Sequence, residues 1–231
     1  KDYGLPGNEI DASNKDDGVN LNSWSIFGTY MPDGFDAYDV NGVTYLVTAN
    51  EGDGREYVSD ATDAADCTAQ GGFLFDDGDC FHYLDEIRVK DLDASQFTED
   101  LVAKLGADFQ DQDKLGRLKV ITDLGLEDSS ACTTLATTGQ PIAFPEETPV
   151  AGCVYENLYS FGSRSFTIWD TSTGRAVFDS GSDMERITAQ QLGGSFNASN
   201  DSNDGDDRSD DKGPEPEAVE IATINDNTFA F

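Results

Sequence analysis

The 231-residue sequence predicts an all-β protein, a β-propeller with a β-sandwich as the second choice. Three observations predict it. Short runs of aromatic and β-branched residues alternate with polar ones at a period of two. Turn pairs such as Asn41-Gly42 separate these runs, within a chain carrying 23 Gly. Helical periodicity is confined to two short stretches, and long polar loops join the rest. A blade takes roughly 40–50 residues, so this length makes about four or five blades of a larger ring.

The elements follow in order. Phe35–Val40 and Val43–Ala49 flank Asn41-Gly42 as a hairpin. Residues 97–105 place Phe97, Leu101, Val102 and Leu105 on one helical face, stopped near Gly106. Leu118–Thr122 reads as a short strand. A second meander runs Leu158–Phe161, Ser165–Asp170, a turn at 171–174, then Arg175–Asp179. Met184, Ile187 and Leu192 share a helical face, with Asp183 as the expected N-cap and Gly193 past the end. A third hairpin runs from Ala218–Ala222 through a turn at 225–227 to Phe229–Phe231. Residues 58–81 and 126–153 read as loop insertions, and 197–213 as an acidic loop. All 231 residues are expected to form part of one propeller domain. Both ends read as cut, the chain opening at Lys1-Asp2-Tyr3 and closing inside a strand.

Charge narrows the function. Against 14 Lys+Arg stand 46 Asp+Glu, a net charge of −32. That surface repels phosphate backbones and anionic headgroups, so nucleic acid is excluded as a partner. Low hydrophobicity with high charge is also the signature of disorder, but 14 Phe, 8 Tyr and 2 Trp are enough to seed a core. No apolar run is long enough to cross a bilayer as a helix.

Four cysteines, Cys67, Cys80, Cys132 and Cys153, lack metal-site spacing, and the chain has one histidine, His82. Three disulfide connectivities are open. The local one, Cys67–Cys80 with Cys132–Cys153, is preferred because each pair brackets one insertion; four free buried thiols are the alternative. Sequons at Asn197 and Asn200 make both asparagines glycosylation candidates. With the even cysteine count they place the chain outside the cytoplasm, secreted or at a cell surface.

Three segments are more specific than composition: Tyr45–Tyr57, holding Asn50-Glu51-Gly52-Asp53; Phe161–Asp170, holding Gly162-Ser163-Arg164-Ser165; and Arg208–Glu217, ending in Glu215-Pro216-Glu217. Together they resemble the secreted choice-of-anchor I family, which includes mesenchyme-specific cell-surface glycoproteins and alkaline-phosphatase-like or phytase-esterase-like bacterial relatives. Asp11–Asp16, Leu115–Val120 and Phe178–Asp183 fit the same pattern. The resemblance implies a propeller in an extracellular setting, continuing beyond this chain at both ends. It fixes activity poorly.

Asn50, Glu51 and Asp53 sit where an apolar strand empties into a loop. Glu215 and Glu217 share a side if their segment is extended, as Pro216 favours. Converging, these carboxylates would repel one another unless a hard cation lay between them, and calcium takes such oxygen ligands. Arg208 and Lys212 are the alternative neutralisers, in a purely structural ion network. Asn200, Ser202 and Asp204, followed by Gly205, Asp206 and Asp211, have EF-hand-like spacing; a solvated acidic loop is the competing reading, and a ligand role for Asn200 excludes a glycan there. Arg164, a lone cation in an apolar strand pair, reads as the buried partner of an acidic residue, or else a phosphate clamp. No nucleophile elbow, phosphate loop or dinucleotide fingerprint is present.

The expected function is an extracellular calcium-binding propeller, a structural or interaction module of a cell surface, matrix or filament. Its expected partners are divalent cations and other protein subunits or matrix components. No catalytic residues are assigned. The alternative is a calcium-dependent phosphoesterase, which the resemblance to phosphatase-like relatives implies.

Overall fold

The computed structural model describes residues 1–231. The chain divides into two compact units, Lys1–Asp53 with Phe161–Phe231, and Gly54–Ser160. Strands are two to seven residues long and outnumber the helices. Every sheet is an open row of strands, none closed into a barrel. The all-β class therefore holds as several small sheets.

In the first unit the expected hairpin forms with the bounds Phe35–Val40 and Val43–Ala49, register Val40↔Val43 to Phe35↔Thr48. Asn41 and Gly42 both take positive φ, 51° and 80°, as a two-residue hairpin turn demands. Phe166–Asp170 then pairs along Val43–Ala49, from Phe166↔Ala49 to Asp170↔Tyr45, and Arg175–Asp179 closes the four-stranded row on its far side. The central strands bury Val47, Thr48, Ala49 and Thr167. Buried hydroxyls are satisfied across strands: the Trp169 indole donates to Thr48 Oγ1 at 3.0 Å, and Asn50 Nδ2 to Thr167 Oγ1 at 2.8 Å. The last hairpin is shifted from its expected place, to Ile221–Ile224 and Asn227–Ala230, because Asn225 and Asp226 are the two positive-φ turn residues. The helix Asp183–Leu192 forms as periodicity predicts, with one correction: Asp183 is its first residue, and Ser182 stands at the cap position.

The second unit packs Leu101, Leu115, Leu118, Val120, Tyr155 and Leu158, all essentially buried, around an edge-to-face Phe97–Phe109 pair with centroids 5.0 Å apart. The helix Glu99–Leu105 supplies Leu101 and Leu105; Thr98 Oγ1 accepts from the Leu101 amide at its start, and Gly106 ends it. Lys119–Ile121 pairs with Glu86–Arg88 and with Tyr159–Ser160.

Residues 58–81 are more ordered than an insertion loop. They hold most of a three-stranded row, Glu56–Asp60, Asp79–Leu84 and Leu74–Asp76, and a helix, Ala64–Gln70. That helix has no apolar stripe to reveal it, since Cys67 is its buried residue. Its ends are legible in retrospect: Asp63 accepts from the Ala65 and Asp66 amides, and Gly71 adopts the left-handed cap. Residues 126–153 hold one helical turn, Leu135–Thr138, and the pair Ile142–Ala143 with Thr148–Pro149. Both disulfides take the local connectivity, Cys67–Cys80 and Cys132–Cys153, leaving no free thiol. No helix is long and apolar enough to cross a membrane.

Candidate metal centre

All the acidic segments singled out above lie in the first unit. Asn50 is fully buried and spends its side chain on the sheet, its Oδ1 accepting from Thr48 Oγ1 at 2.9 Å. Two facing glycines set the path of the next residues. A Cβ on Gly52, at φ 80°, would lie 1.9 Å from the Gly162 amide nitrogen, and one on Gly162, at φ 65°, 1.8 Å from the Glu51 carbonyl. Only glycine allows this approach.

Beyond the crossing, Lys212 Nζ donates to Glu51 Oε1 at 2.7 Å and to Asp53 Oδ1 at 2.8 Å. Burial pulls the Lys212 ammonium down, but its hydrogen bonds to the Asp53 and Glu51 carboxylates outweigh it and hold the pKa above the ordinary lysine value. Arg208 grips Glu215 Oε1 through Nε at 2.9 Å and through Nη2, and lies 3.4 Å from Asp211. Glu215 sits at φ 44°, so Glu215-Pro216-Glu217 is not the extended segment that Pro216 favours. The turned backbone accompanies the Arg208 fork, while Glu217 stays exposed. Lys212 and Arg208 thus stand where the ion-network alternative puts them.

Asn200, Ser202 and Asp204 are exposed on the acidic loop, with Ser202 Oγ accepting from the Asp204 amide at 3.2 Å. Asn197 is 7 % exposed, and its Nδ2, the atom a glycan would take, donates to Ser209 Oγ at 3.0 Å. Asn200 is the exposed asparagine of the two sequons.

The structure brings together a carboxylate set that sequence reasoning missed. One oxygen each of Asp11, Asp16 and Asp206 lie within 4.8 Å of one another. Asp11 is fully buried, with Oδ2 accepting from the Asn20 amide at 2.7 Å and Oδ1 from the Ser13 amide at 3.4 Å. Burial pushes its carboxyl up to about 7 against those hydrogen bonds, and repulsion from Asp16 and Asp206 adds to the shift. Burial also raises Asp206, held by Ser209 Oγ at 2.7 Å, with Asp16 and Asp210 adding repulsion. An all-oxygen set of carboxylates is the donor chemistry of a hard divalent cation such as calcium.

Arg164 builds this arrangement. It is 1 % exposed, and its Nη1 donates to the Asp11 carbonyl at 2.5 Å and to Glu185 Oε1 at 2.6 Å. Its Nη2 donates to the carbonyls of Ser209 at 2.8 Å and Asp211 at 3.0 Å, while Glu185 Oε2 accepts from the Asp11 amide at 3.1 Å. One guanidinium therefore fixes the two backbones that carry Asp11 and Asp206. Its role as a buried partner of an acidic residue is the one the sequence favours. His82 Nε2 lies 2.9 Å from Ser59 Oγ, which Gln70 Oε1 also holds at 2.9 Å.

Comparison with known proteins gives two likenesses. Gigasin-3a of Magallana gigas is 34% identical over 82 residues, 33% of this chain. The match spans 29% of that protein's length. No solved structure matches. The model of the Choice-of-anchor I domain matches residues 1–140 and 146–231. Nearly the whole sequence, both of its halves and the segments around Glu51, Arg164 and Arg208, is thus accounted for by one domain type, and the chain belongs to the choice-of-anchor I family.

Proposed function

We propose that this chain is an extracellular calcium-binding module with a structural or interaction role at a cell surface, in a matrix or in a filament. Family membership and two formed disulfides support the extracellular setting. The observation that carries the calcium reading is the meeting of Asp11, Asp16 and Asp206, with Asp11 fully buried. At neutral pH such a cluster is relieved by a proton or by a cation, and calcium relieves all three carboxylates at once. The same reading takes Glu51, Asp53 and Glu215 as carboxylates that calcium would have to win from Lys212 and Arg208, with Glu217 exposed beside them.

Calorimetric titration of the chelator-treated chain with calcium tests this. Saturable binding that Asp206→Asn weakens at least tenfold is expected. No binding, or binding indifferent to that substitution, overturns the calcium reading at this cluster. Calcium-dependent hydrolysis of p-nitrophenyl phosphate, lost in Glu215→Gln and Glu217→Gln, would instead establish the phosphoesterase reading.

A further inference from the structure

We infer that the chain carries an N-linked glycan on Asn200 and none on Asn197, although both asparagines stand in Asn-x-Ser sequons. The fold puts the two in different places. Hydrogen bonds close the base of the acidic loop: the Asp206 amide donates to the Phe196 carbonyl at 2.6 Å, and the Arg208 amide to the Asn197 carbonyl at 2.8 Å. Gly205 passes so near Gly194 that a Cβ on it would fall 2.0 Å from the Gly194 carbonyl oxygen. Asn197 lies in that base. Asn200 opens the tip, where residues 200–205 are all exposed.

At the base a sugar has no room. Asn197 is buried and its Nδ2 donates to Ser209 Oγ at 3.0 Å; Ser209 is itself fully buried and bonded to Asp206 Oδ1 at 2.7 Å. A ring on that nitrogen displaces packed atoms, and moving Ser209 frees Asp206 from its place beside Asp11 and Asp16. At the tip a glycan, bulky and hydrated, stays in water and displaces nothing packed. The donor class is an oligosaccharide held on a lipid pyrophosphate. Asn200 Nδ2 attacks its anomeric carbon: the C–N bond forms as the C–O bond to pyrophosphate breaks, the lipid pyrophosphate leaves, and the amide gives up one of its protons. Transfer precedes folding and meets both sequons open; the closed loop then accommodates the chain modified at Asn200. A glycan there also removes Asn200 from the calcium ligands that the loop's spacing suggests.

The inference rests on the extracellular setting proposed above and is independent of the calcium reading. The full chain, secreted from insect cells, is treated with peptide-N-glycosidase in heavy-oxygen water, which leaves a heavy aspartate wherever a glycan stood, and its peptides are mapped by mass spectrometry. Heavy aspartate at position 200 and unmodified asparagine at 197 are expected. Ser202→Ala, an exposed change that breaks the Asn200 sequon alone, should yield a secreted chain with no glycan. Asn200→Gln should bind calcium as the glycosylated chain does. An unmodified Asn200, a glycan on Asn197 in either secreted chain, or calcium binding lost in Asn200→Gln overturns the inference. A glycan on Asn200 in a chain that binds no calcium sinks the calcium reading and leaves this one standing.

Discussion

Arg164 shows how much one buried cation can organise. Its guanidinium holds Glu185 and three carbonyls from two distant stretches of chain, on a backbone at φ 52°. Arg164→Met leaves the Glu185 carboxylate buried without its partner, which typically costs about 3–5 kcal/mol. Urea unfolding should register that loss, and a change under about 1 kcal/mol, the worth of one ordinary hydrogen bond, would mean the pair is not formed. Asp11 sets a pH dependence. Its folded value of about 7 lies above that of an unfolded aspartate, roughly 3.9, so the folded chain holds a proton the unfolded chain has released. Its stabilising contribution is therefore complete below about pH 4 and lost as pH rises through 7. In chelator, the wild type should lose stability between about pH 4 and pH 7 and level off above that, and Asp11→Asn should flatten the fall. Identical pH profiles for the two would refute the shift. Arg164 was legible in the sequence because a lone cation among apolar strand residues needs an acid. Its partner was not legible, since Glu185 lies outside the Met184, Ile187 and Leu192 face of its helix and an acid there reads as solvent-exposed.

At the scale of elements, local patterns carried most of the strands. Alternation and a two-residue turn suffice to give Phe35–Val40 and Val43–Ala49 their bounds, because pairing partners lie next to each other in the chain. The helix Ala64–Gln70 escaped, being short and without an apolar face. Its Cys67 is tied to Cys80 on the neighbouring strand, closing a loop with a sequence separation of 13. Replacing both cysteines by alanine should lower unfolding stability by about 3 kcal/mol, read by urea titration at matched buffer. Gly72 packs against that bridge so closely that a Cβ would fall 2.2 Å from the Cys80 sulfur. At the other glycine contact, Gly52→Ala is expected to cost on the order of 1–3 kcal/mol, from left-handed strain and from collision with Gly162. A thermal midpoint unchanged by Gly52→Ala would mean the two segments do not cross as described.

For the molecule as a whole, the charge of −32 is the dominant electrostatic fact. Self-repulsion of that size opposes compaction, so any counter-ion that binds the folded chain stabilises it. Calcium should raise the melting temperature more than sodium chloride at equal ionic strength, by an amount equivalent to about 2.7 kcal/mol at a hundredfold excess over Kd. Equal shifts from the two salts would reduce the effect to screening. The sequence by itself determined the all-β character, the hairpins, the two surface helices and the family, for each rests on neighbours in the chain or on motif order; it preferred the local disulfide pairing, which the structure then fixed. Only the tertiary structure decided which acids meet. Asp11 and Asp206 come together because Arg164 bonds to carbonyls in both segments, and Glu51 and Asp53 are drawn to Lys212. Periodicity reports which face of an element is buried, and carries no information about which loops are brought side by side.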